Sequence, residues 1–261
     1  RVLHFNLYGA QATLARVYWM KGDLDSARIY ADKVIRSNKF RFASKTSLNT
    51  FMQKTVSMEE TIWGLYNAEV YSDWLTQHVR RQGLGDLTTD FKSIYAYEGP
   101  TGKKDYRLDN WFGTYNRSGT PVDILVKVMG NVSDTTSLTT SYNGGPYLGT
   151  SMIRIPEMYY IMSEALLATG NAEGAMEYLD AVVDARGMEK FADRTPLVDI
   201  TLSDIMAERR KEFIGEGQWW FCLKRLNSPV KLSGATGATI PGSDKIYVLP
   251  LPVEEEDYRP E

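Results

Sequence analysis

The chain has 261 residues, 43% hydrophobic and 24% charged, with a formal net charge of -3 and a sequence pI near 5.6. That composition suits one large folded domain or two small ones and lacks the basic balance of a nucleic-acid binder. Cys222 is the only cysteine, which excludes a disulfide framework, and no run of about 18 apolar residues is present to span a bilayer.

Helical periodicity begins at once, through Leu3, Leu7, Ala10 and Leu14, with no capping residue or signal peptide ahead of it. The start at Arg1 reads as that of a fragment, any export or anchoring signal having gone with the missing part. Phe5 to Met20 predicts one helix, Lys21-Gly22-Asp23 its turn, and Leu24 to Arg36 the return helix. From about residue 40 to 150 the texture changes to a long irregular insertion, of the kind that carries function or lacks order. Within it, Thr61-Ile-Trp-Gly-Leu-Tyr66 predicts a strand with Trp63 in the core. A stretch rich in aromatics and glycine runs from Tyr71 to Trp111, a second strand is expected at Ile124 to Met129, and a polar loop covers Ser133 to Gly149. Aromatics make up 12% of the chain, a share that fits either a large core or rings turned outwards to stack on a ligand.

A second hairpin follows, with Pro156 to Thr169, Gly170-Asn171, and Ala172 to Arg186. It aligns with the first at one constant offset: Gly22 with Gly170, Asp23 with Asn171, Ala27 with Ala175, Leu14 with Met162. Glycine permits the positive φ of such a turn, and small residues on the return helix let paired helices approach. Ala15 and Ala27 with Tyr18 follow the tetratricopeptide pattern, and Ala165, Leu166 and Ala175 echo it. Repeats of this kind bury their faces against neighbours. The insertion separates these two along the chain, so they must fold back to touch and display the material between them.

A helix from about Leu202 turns Leu202, Ile205, Met206 and Phe213 to the core, and Arg209 falls on the same face. A buried guanidinium must meet a carboxylate or carbonyls. Glu164, inside an otherwise apolar helix, is the natural partner for Arg209 or Arg210, and the role of such a link is structural. Gly215 and Gly217 end the helix. Trp219, Trp220 and Phe221 follow, the tryptophans expected in the core. The tail is irregular, with Ile246 to Pro252 extended and prolines at 250 and 252 excluding a central strand. The fold class is therefore mainly α, with tetratricopeptide-like helical hairpins and a long irregular insertion containing short β-strands, read as one domain fragment over 1–261.

Catalytic constellations are missing. His4 and His78 have no metal-spaced companion, Gly83-Leu-Gly85 does not open from a strand into a helix, and neither a Gly-x-Ser-x-Gly elbow nor a phosphate loop occurs. Asn116-Arg-Ser118 and Asn131-Val-Ser133 fit a glycosylation pattern too common to carry weight. Glu59, Glu60, Asp86, Asp90, Asp105 and Asp109 would supply a glycosidase pair, but read as solvated loop charges. Asp105-Tyr-Arg107 reads as a charge-bracketed turn.

Four ordered segments together resemble the SusD/RagB family of outer-membrane nutrient-binding lipoproteins. They are Ala10-Gln-Ala-Thr-Leu-Ala-Arg-Val-Tyr18 with Gly22-Asp23; Ile153-Arg-Ile-Pro-Glu-Met-Tyr-Tyr-Ile-Met-Ser-Glu-Ala165 with Gly170-Asn171; Glu208-Arg-Arg-Lys-Glu-Phe213 with Glu216-Gly-Gln218; and Leu249-Pro-Leu-Pro252 before Glu254 to Asp257. Asp105-Tyr-Arg107-Leu108 looks like the family's mid-chain Asp-x-Arg-Leu. The resemblance covers about the C-terminal half of a typical member. Two positions depart from it: Trp219 stands where the family usually has arginine, and Cys222 where it usually has aspartate, which puts the local polar network there in doubt. The resemblance implies a binding protein without catalysis or cofactor, lipid-anchored at the cell surface through a part absent from this chain. It also implies a TonB-dependent outer-membrane transporter as partner and a glycan or peptide as ligand, with no nucleic acid. Sugar rings stack on Trp and Tyr, so Tyr71, Trp74, Tyr95, Tyr97, Trp111, Tyr115 and Tyr142 of the insertion are the ligand-binding candidates. A tetratricopeptide adaptor for a protein or peptide is the alternative, and a glycan-cleaving enzyme using insertion carboxylates a third.

Overall fold

Asn6 opens the first helix, its side-chain oxygen accepting the N–H groups of Tyr8 and Gly9. The computed structural model describes residues 3–48, 56–67, 93–97, 99, 102–117, 119–127, 132–134, 139–140, 149–197, 199–231 and 238–250. Helix α1 (Leu7–Lys21) stops at Gly22, whose φ of 78° lets its N–H turn back to Trp19. Asp23 then caps α2 (Leu24–Arg36) by accepting from Ser26. The second hairpin repeats the device, with Gly170 at φ 80° and Asn171 accepting from Gly174. Its helices are numbered after two short ones in the insertion: α3 (Lys45–Leu48) and α4 (Tyr106–Trp111). The hairpin itself is α5 (Ile155–Ala168) and α6 (Ala172–Ala185).

Helix α2 packs directly on α5, so the spatial order is α1, α2, α5, α6 and the two distant hairpins do touch. Ala12, Ala15, Ala27 and Ala31 are fully buried between the first pair, and Ala165 and Ala175 play that part in the second. Side chains this small let helix axes close up.

Strand β1 (Thr61–Tyr66) forms where the sequence predicts it and pairs antiparallel with β6 (Gly149–Arg154). The ladder ties the two ends of the insertion together, and β6 runs straight into α5, where Ile155 donates to the Glu60 carbonyl. The second strand lies earlier than expected. Strand β3 is Thr120–Leu125, paired with β2 (Phe112–Arg117) from Phe112 opposite Leu125 to Arg117 opposite Thr120. A turn in which Asn116 accepts from the N–H of Gly119 sets that register, and Val126 and Lys127 then leave it to bond the Trp111 carbonyl. Residues 128–130 lie outside the described residues. Short β4 (Val132–Asp134) and β5 (Thr139–Thr140) pair with each other.

Tyr95, Trp111, Phe112, Leu125, Leu48 and Ala43 make a core within the insertion. It is not independent of the hairpins' side of the molecule. Ile214 packs against it, and the Tyr95 hydroxyl donates to the Lys211 carbonyl at 2.8 Å. Lys211 belongs to α7 (Leu202–Glu212), which opens with a capping box between Thr201 and Asp204.

By its contacts the chain divides into two compact units, 1–216 and 217–261. The second contains α8 (Gln218–Arg225), the ribbon of β7 (Val230–Lys231) and β8 (Thr239–Ile240), and α9 (Asp244–Tyr247). Two expectations are corrected here. Trp220 and Phe221 lie on α8 and are 45% and 53% exposed, so Trp220 is not a core residue of this structure. Its ring instead rests on Tyr247 at 5.2 Å. Ile246 and Tyr247 are helical, not extended, because Ser243 accepts both of their N–H groups through its carbonyl; residues 251–261 lie outside the description.

Candidate functional site

A buried lattice of charge lies where β6, α4, α6 and α7 meet. Glu212 is its hub. Its two carboxylate oxygens accept from Arg186 at 2.8 and 2.9 Å, from Arg154 at 2.8 Å and from Arg107 at 3.3 Å. Glu60, on the turn before β1, joins Arg154 at 2.7 Å to Arg186 at 2.8 Å. Glu216 takes Arg154 at 2.6 Å and Lys127 at 2.5 Å. Arg107 forks on Asp105 at 2.9 and 2.8 Å and reaches Glu208 at 2.8 Å, and Glu208 also meets Lys211. The cations Arg107, Lys127, Arg154, Arg186 and Lys211 thus face an equal number of carboxylates, Glu60, Asp105, Glu208, Glu212 and Glu216.

Balance of this kind makes the burial tolerable, because each charge lost from water regains a partner at hydrogen-bond distance. Burial works against every guanidinium's charge, yet the adjacent carboxylates outweigh it and hold Arg107, Arg154 and Arg186 above their ordinary range. Burial likewise pushes Glu212 up, and Arg186 and Arg154 more than reverse this, holding it well below the usual carboxylate range. Lys127 is the exception: burial dominates and brings it down to about 8 despite Glu216.

A second buried set joins the hairpins to α7. Glu157 of α5 accepts from Arg16 of α1 at 2.6 and 2.8 Å and from Arg209 at 3.2 Å. Arg209 is buried as its place on the apolar face predicts, but its carboxylate is Glu157, two helical turns before Glu164 on the same face. Glu164 accepts the Trp19 indole N–H at 2.6 Å. Arg210 is exposed. Arg209 thus takes Glu157 where Glu164 was the expected partner.

Above the charged lattice is a cavity of about 580 Å³, lined by Tyr95, Tyr97, Lys104, Asp105, Leu108 and Asp109 among others. Its size falls within the roughly 300–1,000 Å³ of small-ligand sites. The floor groups are internally engaged: Tyr95 through Lys211, and Asp105 through Arg107 and the cap of α4, where it accepts the N–H of Arg107 at 3.0 Å. The walls are more open, with Tyr97 half-buried and Lys104 and Asp109 exposed. The Tyr97 hydroxyl donates to Glu189 at 3.1 Å, and burial followed by that bond raises its pKa. A ring flanked by one cationic donor and one anionic acceptor suits a polyhydroxylated ligand, whose hydroxyls both donate and accept and whose C–H face packs on aromatics.

Of the candidates read from the sequence, Tyr95 and Tyr97 come together at this cavity. Tyr95 and Trp111 are only 1% and 0% exposed, so the expectation of open stacking platforms is corrected for both. They pack against Phe112 and Leu125, and the Lys127 ammonium lies 4.0 Å from the Trp111 ring centroid. Tyr115 stands on β2 opposite Val122. Tyr71, Trp74 and Tyr142 lie outside the described residues, as do Asp86 and Asp90. Trp63 is half-buried, edge-on to Phe5 at 5.0 Å. Glu60 and Asp105 are not solvated loop charges but fully engaged members of the lattice, whereas Asp109 is exposed. The Asp105–Arg107 bracket is as predicted. Arg154, Arg186, Lys127 and Glu212 were not among the residues singled out from the sequence for a charged role. Among the described residues, no three His, Cys, Asp or Glu side chains gather as a metal site would, and no helix is long and apolar enough to cross a membrane.

Residues 124–240 match the model of the SusD family, which bears out the resemblance carried by the sequence motifs. Solved structures share the fold. A SusD superfamily protein from Bacteroides thetaiotaomicron VPI-5482 superposes with a TM-score of 0.72 at 24% identity, over 98% of this chain and 60% of that one. A SusD-like carbohydrate binding protein from Bacteroides vulgatus ATCC 8482 does so at 0.69 and 18%, over 98% and 59%. A structure with xylogluco-oligosaccharide matches at 0.61 and 20%, over 87% and 52%. At these identities the likeness is one of fold, and the chain spans about three fifths of the length of the first two. No curated protein matches.

Proposed function

We propose that this SusD-like chain is part of a nutrient-binding protein that captures an oligosaccharide at the cell surface. In this reading it is held by a lipid anchor outside the present chain and passes cargo to a TonB-dependent outer-membrane transporter, without catalysing a reaction. The observation that carries it is the cavity in which Tyr97, Lys104 and Asp109 stand over the rigid floor of Tyr95 and Asp105. The SusD family match supports the class, and the printed descriptions of two structural neighbours, one as carbohydrate binding and one with xylogluco-oligosaccharide, support the cargo. Affinity electrophoresis against a panel of polysaccharides, with calorimetry for soluble oligosaccharides, tests it. Retardation abolished by Tyr97→Ala is expected; a parent protein that no glycan retards would sink the reading. Cell fractionation and surface protease accessibility test the location, and co-purification with a β-barrel transporter tests the partner.

A second reading, a tetratricopeptide adaptor, is favoured by Leu7, Leu14 and Val17, all exposed along α1. It predicts capture of a peptide and indifference to every glycan. The enzyme reading has less support, since both oxygens of the cavity's Asp105 are engaged by Arg107.

A further inference from the structure

We infer that Glu189 and Arg194, on the segment that follows α6, position Tyr97 as the ligand-facing wall of the cavity. This rests on the carbohydrate-binding reading above and assigns residues far from the cavity's own segment to its recognition. Tyr97 and Glu189 are 92 residues apart in sequence, and their bond is 3.1 Å long. Glu189 is itself buried, so its carboxylate is a fixed acceptor and not a mobile surface group. The Arg194 guanidinium lies 5.5 Å from the Tyr97 ring centroid and 3.6 Å from that of Phe191, and it donates to the Glu189 carbonyl at 3.3 Å. The short turn that carries Phe191 is tied down in its own right: Asp180 of α6 accepts the N–H groups of Phe191 and Ala192. The clamp is therefore built on the second hairpin.

Gly99 also lies against the hydroxyl end of the ring. A Cβ there would stand 2.8 Å from the Tyr97 hydroxyl oxygen and 3.1 Å from a ring carbon, so any other residue would push the ring from this position. Gly99 also donates to the Lys103 carbonyl at 3.1 Å, closing the turn that delivers Lys104 to the cavity. The Tyr97 ring is thus held by a hydroxyl bond, a guanidinium 5.5 Å from its centroid and the absence of a side chain at Gly99. An aromatic wall held in place before the ligand arrives loses little freedom on binding, whereas a free ring in a loop must be ordered by the ligand. Positioning of this kind shows in affinity.

The test uses the whole chain with 3-fluorotyrosine introduced at position 97, followed by fluorine NMR, and calorimetry with a xylogluco-oligosaccharide. Glu189→Ala is expected to move the fluorine resonance and to weaken affinity by roughly three- to tenfold, the effect of one hydrogen bond. Glu189→Gln keeps an acceptor and should hold both within about twofold of the parent. Tyr97→Phe should match Glu189→Ala in affinity, and the double variant should be no weaker than either, since both remove the same bond. A resonance that ignores Glu189→Ala overturns the inference, as does equal damage by Ala and Gln. A parent that binds no oligosaccharide while its resonance still responds to Glu189→Ala and not to Gln refutes the cargo reading and upholds the positioning.

Discussion

The Trp19 indole donates its N–H to the Glu164 carboxylate at 2.6 Å, joining residues 145 positions apart. Trp19 is on the first helix of one hairpin and Glu164 on the first helix of the other, so this bond is made only when the two repeats meet. Trp19→Phe keeps most of the ring and deletes the donor. It should cost about 1–3 kcal/mol, the range for a buried bond to a charged group, read as a lower urea midpoint with an unchanged m-value. An unchanged midpoint would mean the bond adds nothing to the packing of α1 on α5.

Glu212→Gln should be more damaging, by about 3–5 kcal/mol, because it leaves Arg154, Arg186 and Arg107 short of a buried counter-charge. Acid should mimic it. Burial raises the Glu212 pKa, but Arg186 and Arg154 hold the folded value well below the usual carboxylate range. The folded state then binds fewer protons than the unfolded one, so this contribution is complete above the unfolded value of about 4.3 and is lost as pH falls through the folded one. Denaturant titrations from pH 6 downward should show a steep loss of stability below about pH 4 in the parent and a shallower one in Glu212→Gln.

Lys127 predicts a slope of the same sign in a separate window at high pH. Burial brings its folded pKa down to about 8, below the roughly 10.4 of an unfolded lysine. Between those values the unfolded chain binds more protons, so stability contributed by this group rises with pH across the window. Below it the full penalty of the buried charge applies in the folded state. Lys211, also lowered by burial, acts with the same sign. Lys127→Met should therefore flatten, without abolishing, the rise measured between about pH 8 and 10; an identical slope in parent and variant would refute the buried ammonium.

Two glycines separate backbone strain from collision. Gly170 has φ 80° and nothing within 4 Å of where a Cβ would be, so Gly170→Ala should cost about 1–2 kcal/mol from the left-handed backbone alone. Gly187 has φ 82°, and a Cβ there would fall 2.4 Å from the Tyr106 ring at the start of α4. Gly187→Ala should lower the melting temperature clearly more than Gly170→Ala and disturb the cavity wall. Equal melting shifts would show that Tyr106 moves aside freely.

Lys104→Ala and Asp109→Asn should each weaken oligosaccharide binding by a factor of a few, the worth of one exposed hydrogen bond, with melting temperature unchanged because both side chains are exposed. A lowered melting temperature with intact binding would assign them to the fold.

What could be read from the sequence was whatever one segment encodes for itself. Gly22 and Gly170 sit just past the last turns of periodic helices, where a positive φ is needed, and Asp23 and Asn171 are one residue on, where a cap is needed. The spacing of Ile205, Met206 and Arg209 placed a charge on a buried face, and Thr61–Tyr66 read as a strand from its own residues. These are local requirements of backbone geometry, and a few neighbouring residues satisfy them.

The choice of partner was decided by the tertiary structure. Arg209 needed a carboxylate or carbonyls, but Glu157 and Glu164 lie on one face of one helix, and only the packed structure pairs it with Glu157. Tyr95 and Trp111 are aromatic like Tyr97, yet burial against Phe112 and Leu125 makes them core, Tyr95 serving only as the cavity's floor, while Tyr97 forms its more open wall. Glu60 and Asp105 resemble any loop carboxylate until β1, β6 and α4 bring Arg154, Arg186 and Arg107 to them. Periodicity reports which face of an element is covered; the free energy of a charge or a ring depends on what covers it, and that is set only when distant segments meet.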